Sequence, residues 1–149
     1  MIGGEGTAQE RKVVTIPPVQ DTTIYSESDT LGNGNGGFLF AGTTNQGVVR
    51  RALLKFDVSG SVPVGSRVTD AKLSLVMDRT KSTSSSEVSV HVIEQAWGEG
   101  ISDADSNEGQ GAEALDGDAT WSSAMQGTIS WRNPGGDFRP KRTGSRSIE

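Results

Sequence analysis

The sequence predicts an all-β protein, an antiparallel β-sandwich of jelly-roll type. Three observations lead there. Apolar side chains fall two residues apart in Val49–Asp57 and in Val68–Met77, the period of strands with one face in a core. Glycine supplies 20 of 149 residues while hydrophobic residues reach only 32%, a balance that suits short strands joined by many turns. No segment carries a sustained helical period.

The length fits one domain that buries a core without disulfides. Residues 1–11 are Gly-rich and charged and are expected to be flexible. A short strand, Lys12-Val13-Val14-Thr15-Ile16, should close at Pro17-Pro18, and the β-branched Asp21-Thr22-Thr23-Ile24-Tyr25 should form the next. Leu31 to Gly37 reads as a Gly/Asn loop, and Phe38-Leu39-Phe40-Ala41 should re-enter the core. In the strand at 48–58, Ala52, Leu54, Phe56 and Val58 share the face expected inside, and Arg51, Leu53 and Lys55 the face expected outside. After a Pro/Gly turn, the strand at 67–78 turns Ala71, Leu73, Leu75 and Met77 inward, to pair with its predecessor or face it across the core.

A polar turn, Lys81 to Ser86, leads to the alternating Val88, Val90 and Val92 of the last clear strand. From Glu99 to Asp118 large apolar residues almost vanish, and a loop of this length in a compact domain is expected to be functional or disordered. Trp121 and Trp131 return as aromatic anchors, and Asn133-Pro134-Gly135-Gly136-Asp137-Phe138 reads as a turn. Residues 139–149 hold Arg139, Lys141, Arg142 and Arg146 and are expected to be a basic disordered tail. The sandwich domain therefore spans 12–138.

The formal net charge of -5 argues against nucleic acid, whose phosphates require a concentrated basic face. The absence of cysteine excludes a disulfide framework, a thiolate nucleophile and a cysteine zinc site. No run approaches the roughly 18–20 apolar residues that would insert in a membrane, and Met1 to Gly6 lack the basic start and apolar stretch of a signal peptide.

Several segments, in order, resemble the DNRLRE-domain family: Asp21-Thr22-Thr23-Ile24-Tyr25, Arg51-Ala52-Leu53-Leu54-Lys55-Phe56-Asp57, Val68 to Leu75, Trp97-Gly98-Glu99-Gly100, Asp118-Ala119-Thr120-Trp121 and Trp131 to Phe138. That family is similar to jelly-roll carbohydrate-binding modules, and some members bind acidic polysaccharides. The resemblance implies a non-catalytic carbohydrate-binding or surface-attachment module of a secreted or cell-surface bacterial protein, with a polysaccharide, acidic in some members, as partner. Family members continue beyond the Gly-Gly-Asp-Phe turn with further strands. The sandwich is accordingly expected to lack its C-terminal strands, as in a truncated or frame-shifted product, leaving open sheet edges. The competing readings are a ligand-free structural spacer and part of a polysaccharide-degrading enzyme that uses Glu99 with an acidic loop residue.

Sugar binding needs aromatic faces, hydrogen-bonding groups and, for an acidic glycan, cations. The residues offering these are Arg51, Lys55, Lys72, Trp97 and Trp121, set against the plainer readings of core tryptophans and ordinary surface charge. No cofactor is required. A structural calcium is the one metal considered, with Asp21, Asp103 and Asp105 as candidate ligands and Asp29 and Asp137 as further carboxylates, although the 103–114 spacing departs from an EF-hand loop. The single histidine, His91, stands near Ser89, but no nucleophile elbow accompanies it.

Overall fold

A computed structural model describes residues 10–148; the segment expected to be flexible lies outside them up to residue 9. The order of elements is β1 (Pro18–Tyr25), β2 (Leu31–Gly32), β3 (Gly42–Thr43), β4 (Val49–Phe56), the one-turn helix α1 (Val58–Ser61), β5 (Ser86–Ile93), a 3-10 helix (Asp105–Gln110), β6 (Ala112–Glu113), β7 (Ser123–Met125), β8 (Ile129–Ser130) and β9 (Phe138–Ile148). Every pairing is antiparallel: a three-stranded sheet in the order β1-β4-β3, and the ladders β2-β6, β5-β9 and β7-β8. The all-β expectation holds.

β1 pairs with β4 from Gln20 opposite Lys55 to Tyr25 opposite Arg50, with a register shift at its Pro18 end, where a residue without an N–H leaves the ladder incomplete. Thr22, Thr23, Ile24 and Tyr25 are all buried, so this end of the strand is covered on both faces. One cover is the hydrophobic cluster of Ile24, Leu53, Trp97, Ala119, Ala124 and Trp131, with Ile93 and Trp121 packed against it. On the other, Thr23 Oγ1 accepts the Phe40 N–H (3.0 Å) and the Tyr25 hydroxyl donates to the Glu108 carbonyl (2.7 Å). Phe38 itself stays exposed, while Leu39 and Phe40 are half-buried. The strand expected at residues 12–16 does not form: the segment joins no ladder among the described residues, and the first strand starts at Pro18.

Four further expectations are corrected. First, β4 turns its faces the other way: Leu53 is 8% exposed and sits in the core, while Ala52, Leu54 and Phe56 are half-buried and Val58, at 51% exposure, begins α1. The tryptophan cluster covers the Leu53 side, and helix α1 starts because the Asp57 carboxylate caps the Gly60 N–H. Second, residues 67–78 form no strand. Alternation alone does not hold a strand, and both edges of β4 are taken by β1 and β3, so Leu73, Leu75, Val76 and Met77 remain exposed. Third, residues 139–148 belong to β9 and are not a disordered tail; they pair with β5 from Ser86 opposite Ile148 to Ile93 opposite Phe138. The register slips near His91, where β9 carries Pro140. Fourth, the loop from Glu99 to Asp118 contains the 3-10 helix and β6.

Two measurements test this architecture. Limited trypsinolysis is expected to cut after Arg67, Lys72, Arg79 or Lys81 before any bond within β4; protection of 67–81 would mean that this segment packs. Trp131 is 6% exposed and its indole N–H donates to the Thr120 carbonyl (2.9 Å). Trp131→Ala is expected to lower unfolding free energy by about 3–5 kcal/mol in urea titration, the usual loss for a buried aromatic.

Candidate functional site

Arg51 leaves β4 beside Leu53 and meets two aromatic rings. Its guanidinium carbon lies 4.8 Å from the Trp121 ring centroid and 4.8 Å from that of Phe138, and its Nη1 donates to the Gly135 carbonyl (2.6 Å). Burial pushes the Arg51 pKa down from its usual value, the direction desolvation imposes on a cation. Aromatic faces offset part of that penalty. Gly135 permits the approach: its φ is 90°, and a Cβ there would run into the Arg51 guanidinium and stand 2.9 Å from the Trp121 ring.

The turn that presents Gly135 is built on Asp137, a buried carboxylate wrapped by donors. Its Oδ1 accepts the Asn133 N–H (3.0 Å) and Asn133 Nδ2 (3.2 Å), and its Oδ2 accepts the Arg132 N–H (2.9 Å) and Arg132 Nε (3.4 Å). Those bonds, led by the Arg132 backbone N–H, hold the Asp137 pKa below its ordinary value. Both oxygens serve this loop, which explains why Asp137 is a clamp here. Gly135 N–H donates to Trp121 O (2.6 Å) and Glu94 N–H to Asp137 O (2.8 Å), tying the turn to the core and to the end of β5.

Beside this turn an open cleft of about 200 Å³ is lined by Glu94, Arg132, Asn133, Gly136, Asp137, Phe138 and Pro140. Arg132 and Arg139 are 69% and 63% exposed, and both face Glu94, at 3.8 and 3.0 Å. Phe138 keeps 36% of its surface exposed, with the His91 ring edge-on at 5.2 Å.

Of the sequence-derived sugar candidates, the structure brings together Arg51 and Trp121. Trp97 is 4% exposed and belongs to the core; its ring offers no platform to a ligand. Lys55 is exposed on β4, with Nζ bonded to Gln20 Oε1 (2.9 Å), and Lys72 lies in the exposed 67–78 segment. Phe138, Glu94, Arg132 and Arg139 were not singled out as ligand contacts. The Trp131-to-Phe138 run, which reads as a turn and as part of the family resemblance, carries Arg132 and Phe138; Glu94 has no motif of its own, and Arg139 falls in the expected tail.

The metal candidates do not converge: among the described residues no three acidic or histidine side chains gather as a ligand set. Asp103 accepts from Asn35 Nδ2 (3.2 Å) and the Asp105 N–H (2.8 Å). Asp21 stands beside Glu99, whose Oε1 accepts the Asp21 N–H (2.8 Å). His91 Nε2 is 3.0 Å from Ser89 Oγ and Nδ1 is 2.8 Å from the Arg139 carbonyl, a carbonyl that only an Nδ1–H can serve. Among the described residues, no carboxylate bonds to this pair.

An all-β scaffold with aromatic and guanidinium groups ordered around an open cleft is the equipment of a binding module. The chain belongs to carbohydrate-binding module family 96, whose model matches residues 12–133. No curated protein and no solved structure matches it significantly. Family membership establishes the carbohydrate-binding class, while the DNRLRE assignment stays a resemblance of motifs. Modules of this class generally lack catalysis and typically occur in extracellular proteins; no helix among the described residues is long and apolar enough to cross a membrane.

Asp21 provides a pH test. Burial first, and then the Glu99 charge, raise its pKa, so its contribution favours the fold below the ordinary carboxylate pKa of about 3.9 and is lost as pH rises through the raised value. Asp21→Asn is therefore expected to raise Tm at pH 7 and to change little near pH 3; a lower Tm at pH 7 would contradict the repulsion.

Proposed function

We propose that this domain is a non-catalytic module that attaches a secreted or cell-surface protein to an acidic polysaccharide. Membership in a carbohydrate-binding family carries the class of ligand. The acidic preference is supported by β4: Arg51 and Lys55, four residues apart, flank the buried Leu53 on one side of the strand, Arg51 half-buried at the core margin and Lys55 exposed. The single protein hydrogen bond of the Arg51 guanidinium among the described residues, to Gly135 O, leaves N–H groups for a ligand carboxylate, and a guanidinium presents them as a fork. Trp121, half-buried against Arg51, adds an aromatic surface for the C–H face of a sugar. Lys72 extends the cationic set from the exposed segment.

Affinity electrophoresis through gels containing a uronic-acid polymer tests this. The protein is expected to be retarded at low salt and released as ionic strength rises, and Lys55→Ala, an exposed site, should weaken retardation several-fold without changing Tm. Arg51→Lys, which keeps the charge but loses the fork, should weaken it more. Migration unaffected by every glycan would favour a ligand-free spacer, and release of new reducing or unsaturated ends would favour an enzyme.

A further inference from the structure

We propose that the cleft between Glu94, Arg132 and Phe138 is a second sugar subsite, one that takes a single neutral pyranose ring through adjacent hydroxyls. The inference rests on the carbohydrate-binding reading and deepens it: the ligand becomes an acidic heteropolysaccharide that carries neutral hexoses beside its uronates. Of its lining, Glu94, Arg132 and Asn133 lie inside the span that the family model matches, and Gly136, Asp137, Phe138 and Pro140 lie beyond it.

Charge decides the ligand. The guanidiniums of Arg132 and Arg139 stand against the carboxylates of Glu94 and Asp137, so the cluster is neutral and has no excess cation for a uronate. It has the reverse merit for hydroxyls. Exposed guanidinium N–H groups beside the Glu94 carboxylate place charged donors and a charged acceptor side by side, and a vicinal diol both donates and accepts. Phe138 supplies the apolar wall, and because its ring also packs on Arg51, a ring seated here neighbours the cationic side of β4.

Size and stiffness agree. At about 200 Å³ the cleft is smaller than the ~300–1,000 Å³ of sites for drug-sized ligands, which matches one ring and excludes a buried disaccharide. Its floor is fixed by the four hydrogen bonds to Asp137, so little order has to be gained on binding.

Titration calorimetry of the whole chain with neutral gluco-, galacto- and manno-trisaccharides and with an oligomannuronate tests the assignment. At least one neutral trisaccharide is expected to bind with an affinity insensitive to salt, whereas the oligomannuronate weakens as salt rises. Glu94→Gln, at an exposed position, should weaken the neutral ligand about tenfold or more and strengthen the oligomannuronate, because the cluster gains net positive charge. Arg139→Ala should weaken the neutral ligand while leaving the Asp137 clamp intact. Binding of the oligomannuronate alone, or a neutral affinity unmoved by Glu94→Gln in a protein of unchanged Tm, would overturn the subsite and leave the acidic-polysaccharide reading standing. Binding of neither would overturn both.

Discussion

A cation held between two aromatic rings is the constraint on which the 131–138 side of this molecule depends. Arg51 joins three parts that sequence keeps far apart: its own central strand β4, Trp121 of the core margin, and Phe138 at the start of β9, with the Gly135 carbonyl as its third contact. Among the described residues, the Arg51–Gly135 hydrogen bond is the polar link between the 131–138 turn and β4. A partly desolvated guanidinium is unfavourable by itself, and the position becomes tenable because ring faces and a carbonyl replace part of its water. Gly135 belongs to the same constraint, since any side chain there would occupy the guanidinium's place.

Two buried carboxylates give the loops their shape. Asp137 orders the turn below the cleft, and Asp118 does the same for the long loop that follows Trp97: its Oδ1 accepts from Ile101 N–H (2.7 Å) and Ser102 N–H (3.3 Å), and its Oδ2 from Leu115 N–H (2.7 Å). A loop poor in apolar residues cannot gain order by burying surface. Here backbone N–H groups converge on a charged acceptor, with hydrogen bonds stronger than those between neutral groups. The result is a rigid surface made from segments that carry almost no core.

The sequence made part of this legible and hid the rest for physical reasons. Strand content at Asp21–Tyr25, Val49–Phe56 and Val88–Ile93 was readable, because β-branched residues and period-2 alternation are local signals. Which face of β4 points inward was not local: alternation marks Ala52, Leu54 and Phe56 as apolar, but Leu53 is the residue that meets the tryptophans. Residues 67–78 show the converse failure, since a well-patterned strand still requires an open edge to pair with. The candidate site was half legible. Arg51 and Trp121 stood out by residue type, and the fold brings them into contact, whereas Phe138, Glu94 and Arg139 gain meaning only from β9 pairing with β5 across the turn, a contact that charge composition disguised as a tail.

The β5-β9 ladder sets a limit on how rigid the cleft is. A two-stranded ribbon is marginal in water unless something packs on it, and most of β9 is exposed. Its anchored end is the one beside the turn, where Ile93 packs on the core, Phe138 stacks on Arg51, and Glu94 N–H bonds to Asp137 O. Its far end, at Ser86 and Ile148, is held by ladder bonds and by surface ion pairs such as Arg142 with Glu87, which contribute little when solvated. Stability therefore falls along the ribbon away from the cleft. Glu94 and Arg139 lie near the anchored end, so the groups proposed to contact sugar stand on the stiff part of an otherwise compliant element.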